Sequence, residues 1–90
     1  MKLQSKILKY LNAQPCVWAI KVEVANQRGC PDILCCVHGQ FIAIEVKAGR
    51  DRVSAIQTEQ LRRIYLAGGT TFVATNYKEF VAEWKQKLGE

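Results

Sequence analysis

Apolar residues recur at helical spacing near the amino end of the chain: Leu3, Ile7, Leu8 and Leu11, with lysines between them. The spacing predicts an amphipathic helix over residues 2–13. Gln14-Pro15 ends it, because a residue before proline is driven out of helical geometry. The period then falls to two. Residues 17–24 read as a strand, with Trp18, Ile20, Val22 and Val24 on one face and Lys21 and Glu23 on the other. Residues 25–31 are a loop by composition. Two β-branched runs follow, joined by a turn at His38-Gly39-Gln40, and predict a hairpin over residues 32–47. A charged turn spans residues 48–52. Ser54 is placed to cap a helix over residues 55–67, which Gly68-Gly69 closes. Residues 70–74 make a short strand. Thr75-Asn76 can cap a last amphipathic helix with Phe80, Val81, Trp84 and Leu88 on one side. The order is α-β-β-β-α-β-α, and helices that cross between strands imply a mixed β-sheet with helical cover. No repeat, linker or low-complexity segment interrupts it.

Composition narrows what such a fold can do. Ninety residues suffice for one domain, residues 1–90, with a core of modest size. Apolar residues make up 49% of the chain, enough for that core and a surplus for an interface. The net charge of +5 favours a polyanionic partner. Cys16, Cys30, Cys35 and Cys36 contain no Cys-x-x-Cys pair, which argues against zinc. Cys35 and Cys36 are adjacent in a strand, so they face opposite ways and one is expected inside. The charged, helix-like start Met-Lys-Leu-Gln-Ser-Lys does not read as a signal peptide, and no apolar run approaches a membrane span. The expectation is a cytoplasmic protein with reduced thiols and no membrane association.

The candidate chemistry lies in the hairpin. Asp32 opens its first strand, and Glu45-Val46-Lys47 closes its second. Antiparallel pairing sets the start of one strand beside the end of the other, which brings Asp32 and Glu45 together. Glu45 and Lys47 share a face. Two converging carboxylates suit a hard divalent cation such as magnesium or manganese, and a neighbouring ammonium can orient water or stabilise developing charge. Gln57 projects into the apolar stripe of the second helix with Val53, Leu61 and Ile64. A polar group there needs partners: either backbone groups or a carboxylate–lysine cluster on the facing sheet. Arg28, Arg50 and Arg52 flank the suspected site and suit phosphate recognition. Arg62 and Arg63 are equally well read as a solvated helix face. Trp18 and Trp84 read as core or interface.

Arg28-Gly-Cys-Pro-Asp32, then Ile44-Glu-Val-Lys47, then Gln57 and the helix ending Ala67-Gly68-Gly69 together resemble the PD-(D/E)XK nuclease superfamily. Within it, the order and spacing are similar to the VRR-NUC family, the virus-type replication-repair nucleases, over residues 3–75. The resemblance implies a restriction-endonuclease-like fold. It implies that Asp32 and Glu45 bind magnesium or manganese, with the backbone carbonyl of Val46 completing the coordination. Lys47 would then position water or stabilise the transition state, and Gln57 would support the site. Many members carry a glutamate in the first helix where this chain has Gln4, which leaves one or two metals open; Glu23 is a possible substitute. Small stand-alone members from phages and bacteria resemble this chain and look like homodimers acting on four-way DNA junctions.

The expected function is therefore a metal-dependent, structure-selective DNA endonuclease that resolves four-way (Holliday) junctions in recombination or repair, as a homodimer. The last helix, with Phe80 and Trp84, is one candidate interface. Alternatives from other classes are a non-catalytic nucleic-acid-binding module on a nuclease fold and a subunit that pairs with another protein.

Overall fold

The computed structural model describes residues 1–89 and realises the expected order. Its elements are α1 (Leu3–Ala13), β1 (Val17–Lys21), β2 (Ile33–Val37), β3 (Gln40–Val46), α2 (Ala55–Leu66), β4 (Thr70–Ala74) and α3 (Tyr77–Leu88). The strands form one sheet in the order β1-β2-β3-β4, antiparallel except for the parallel β3–β4 pair that α2 connects. Local chemistry explains the boundaries. His38 and Gly39 both take left-handed backbone, with φ of 50° and 81°, as a tight hairpin requires. Ser54 Oγ accepts from Gln57 N while Ser54 N donates to Gln57 Oε1, a reciprocal cap on α2. Asn76 Oδ1 accepts from Glu79 N and caps α3.

The sheet has one fully covered face. Ile33, Cys35, Ile42, Ile44 and Phe72 point into a core closed by Ile7 and Leu11 of α1 and by Phe80 and Trp84 of α3. Phe72, Phe80 and Trp84 stack into an aromatic cluster with ring centroids 5.5–5.9 Å apart. Burial of Phe80 and Trp84 takes those side chains out of the candidate interface on the last helix: they are already spent on the core. Asn12 ties α1 to the edge strand, donating to Ala19 O and accepting from Ala19 N. Those bonds occupy edge groups that would otherwise be open to pairing.

The opposite face is covered only in part, by α2. Ile64 and Phe41 both approach Gly69 there, and Ile56 packs against Gly29. The first strand is shorter than the predicted residues 17–24, and its apolar alternation points outward. Ala19 is buried, whereas Trp18 is 62% exposed. Trp18 pairs with Cys36, which pairs with Phe41, so these three make a row across the exposed side. Cys35 is inside and Cys36 outside, as alternation required. Burial pushes the Cys35 thiol up to about 12, so it is inert. No helix among the described residues is long and apolar enough to cross a membrane.

Candidate active site

Register delivers the two carboxylates to one place. Ile33 pairs with Ile44, so Asp32, one residue before β2, falls opposite Glu45 near the end of β3. Directly opposed residues share a face, here the one that α2 partly covers. The pairing then stops at Asp32 in a specific way: its Oδ2 accepts from Val46 N at 2.8 Å. The side chain thus replaces a ladder partner and fixes its own position against β3. Its carbonyl oxygen meanwhile accepts from Val22 N at 2.8 Å, joining it to β1.

The loop before Asp32 is clamped by α2. Gly29 has φ of 75°, and a Cβ there would lie 2.5 Å from Ile56 Cγ2. Only glycine meets both conditions. Gln60 Nε2 donates to Arg28 O at 3.1 Å, on the same loop. Pro31 is buried and supplies no backbone donor, so the chain enters Asp32 in extended geometry. The sequence pattern placed Gly29 and Pro31 in a loop but missed its clamp. The signal was the glycine itself; its partner, Ile56, is distant in sequence and invisible without the fold.

Glu45 is the buried charged residue of the described chain, 1% exposed, and neither of its oxygens has a hydrogen-bond donor. Burial raises its pKa to about 8. Asp32 adds to the rise, as an acceptor for the protonated form and as a like charge against the ionised one. Lys47 opposes it. Lys47 is half-buried, and its backbone N donates to Ala74 O at 2.9 Å, so β4 braces the strand end that carries it. Cys30 also adjoins the pair: burial, then Glu45 and Asp32, push its thiol up.

A buried carboxylate without donors beside a second carboxylate is electrostatically incomplete, and a divalent cation would complete it. Among the described residues, no cluster of three or more His, Cys, Asp or Glu could form an all-protein cage. Two carboxylates and a backbone carbonyl instead suit magnesium or manganese, which keep waters and share their coordination with substrate phosphates. The residues present therefore fit a hard cation and disfavour zinc.

Other expected residues fall as follows. Gln57 is half-buried, but its Oε1 is bonded to Ser54 N at 2.9 Å, so the backbone alternative holds for that oxygen. The cap sits at the start of the helix that clamps the loop before Asp32. Arg28, Arg50 and Arg52 are all exposed, the latter two in the segment that leaves β3 past Lys47. Gln4 is half-buried in the first turn of α1. Glu23 is exposed and pairs with Lys21 at 3.3 Å in a surface bond.

No family model matches the chain, and no curated protein matches it. Among solved structures it is similar to Hjc of Archaeoglobus fulgidus, a Holliday junction resolvase from an archaeal hyperthermophile. The TM-score is 0.63 and the identity 28%, over 84% of this chain and 66% of that one. The chain thus spans just under two thirds of the length of that protein. The four-stranded mixed sheet with three helices matches a resolvase nuclease fold.

Proposed function

We propose that this chain is a metal-dependent endonuclease that hydrolyses phosphodiester bonds in branched DNA, four-way junctions above all, as a homodimer. One observation carries the reading: Glu45 is buried with both oxygens unpartnered, opposite an Asp32 anchored on Val46 N. Without a cation, a proton neutralises this buried carboxyl, as its raised pKa shows; a bound cation would take that proton's place. Similarity to a Holliday junction resolvase supplies the substrate class. The narrower grouping with the VRR-NUC nucleases rests on the motifs around Asp32, Glu45 and Gln57.

Asp32 and Glu45 would hold magnesium or manganese, with the carbonyl of Val46 as a further oxygen ligand. A bound ion of this kind supplies Lewis acidity toward phosphoryl oxygen and lowers the pKa of water. Lys47 has donors and no acceptor, so its ammonium orients water by donation or stabilises charge developing on the phosphate. Arg28, Arg50 and Arg52 present planar forks to flanking phosphates. Gln57 acts through the start of α2, and so through Ile56, on the loop that sets Asp32.

Resolution of a junction needs two cuts on strands related by symmetry, and a two-fold dimer supplies two such sites. The face that α2 leaves open offers the interface. Trp18 is 62% exposed, Phe41 46% and Ile20 39%. Trp18 and Phe41 alone leave on the order of 200 Å² uncovered, about a quarter of one partner's share of a standard interface. An apolar face of this kind is self-complementary in a second copy.

The test is a panel of labelled four-way junctions, flaps and linear duplexes incubated with magnesium or manganese. Cleavage of junctions is expected from the native chain, and none from Asp32→Asn or Glu45→Gln, both of which still bind DNA. Cutting by either variant at the native rate would show that the assigned site is wrong.

A further inference from the structure

A second feature lies outside the carboxylate site. A groove of about 430 Å³ runs between α1 and α3, lined by Lys6, Lys9, Tyr10, Ala13 and Tyr77, with Met1 at one end. Its volume falls within the range of ligand sites. Lys6 and Lys9 lie three residues apart on one stripe of α1, which Lys2, the N-cap residue, extends. That stripe spans about 10 Å, the axial length of roughly three phosphates along one strand. All three lysines are exposed. The chain carries no acidic residue before Glu23, and no ion pair engages these lysines among the described residues. The stripe is therefore an uncompensated positive edge to the groove.

The floor is aromatic and braced. Tyr10 meets the buried Phe80 edge-on at 6.4 Å and Tyr77 edge-on at 6.1 Å. Tyr77 keeps 39% of its surface open. Tyr77 also follows Ala74 by three residues, and the carbonyl of Ala74 accepts from the backbone N of Lys47. Three residues span at most about 11 Å, so Tyr77 stands within that distance of the sheet end that carries Lys47, on the face opposite the carboxylates.

We propose that this groove binds a single-stranded segment of the DNA substrate, with phosphates on Lys6 and Lys9 and a base stacked on Tyr77. Lysines along a backbone track with an aromatic platform are the chemistry of single-strand binding. The inference rests on DNA being the partner, and it adds a DNA contact on the sheet face opposite the carboxylates.

The test uses the full chain carrying Asp32→Asn, which cannot cut, and a labelled oligothymidylate, with affinity followed over a range of salt. Lys6→Gln with Lys9→Gln is expected to weaken binding and to flatten the salt slope by about 1.4, since each single-strand phosphate contact contributes about 0.7. Tyr77→Leu is expected to weaken binding about fivefold or more with the slope unchanged. Lys6→Arg with Lys9→Arg should restore the slope, which separates charge from folding damage. An unchanged slope in the glutamine pair, or unchanged affinity in Tyr77→Leu, would overturn the groove while junction cutting by the native chain left the nuclease reading intact. Absence of binding to any DNA would overturn both.

Discussion

Replacing Glu45 by glutamine should stabilise the metal-free protein at neutral pH, the reverse of the usual effect of changing a buried residue. The native carboxyl is held at about 8 against an ordinary 4.5, chiefly by burial. Between those values the folded state binds more protons at this group than the unfolded state does. Stability therefore falls as pH rises from 4.5 toward 8. At pH 7 the gap is 7 − 4.5, or two and a half pH units, which corresponds to about 3 kcal/mol. Water at the open end of the sheet screens part of that, leaving about 2 kcal/mol. Glutamine keeps the shape, removes the titration and can donate to Asp32. Without metal, Glu45→Gln should then melt about 10 °C above the native chain at pH 7, and the two should converge near pH 4.5. Thermal melts in chelator across pH 4.5–8 measure this. Magnesium should raise the native melt by mass action and leave the variant nearly unmoved. A variant less stable than native at pH 7, or a native profile flat across that window, would refute the account of Glu45 as a carboxyl whose pKa burial raises.

The other predictions are simpler to state. Lys47→Ala should lose cleavage but keep manganese binding by calorimetry, because ammonium does not coordinate metal; loss of binding in a folded variant would contradict that role. Replacing Arg50 and Arg52 with glutamine should flatten the salt dependence of junction affinity without changing sequence preference, and an unchanged slope would return both to solvated surface. Gly29→Ala should cost about 2 kcal/mol in urea unfolding, since it combines left-handed backbone with a 2.5 Å approach to Ile56; a neutral effect would mean that α2 does not clamp the loop. Trp18→Glu with Phe41→Glu should give a monomer by sedimentation that still binds metal but no longer cuts both strands of a junction. A dimer of unchanged stability would remove the open sheet face as the interface.

Much of the fold was legible because periodicity is local. Spacing of Leu3, Ile7 and Leu11 marks a helix whatever surrounds it, and His38-Gly39 permits the hairpin turn by its own backbone freedom. Given that turn, register follows, and with it the meeting of Asp32 and Glu45. Caps at Ser54 and Asn76 are likewise set by residues within one turn. The sequence alone thus determined the element order and the carboxylate pair. It could not determine what covers each face. In β1 both sides of the alternation are apolar enough to be buried, and only packing of α1 decided that Ala19 goes in and Trp18 out. Gln57 sits in the apolar stripe, where either backbone or the carboxylate cluster could partner it, and the folded helix start decided the bond of its oxygen. Phe80 and Trp84 were free for core or interface until Phe72 met them. The fit of Ile56 on Gly29, the burial of Glu45 and the groove of Lys6, Lys9 and Tyr77 join segments distant in the chain. Pattern assigns residues to a common face; only tertiary packing decides whether that face meets another element, a metal, DNA or water.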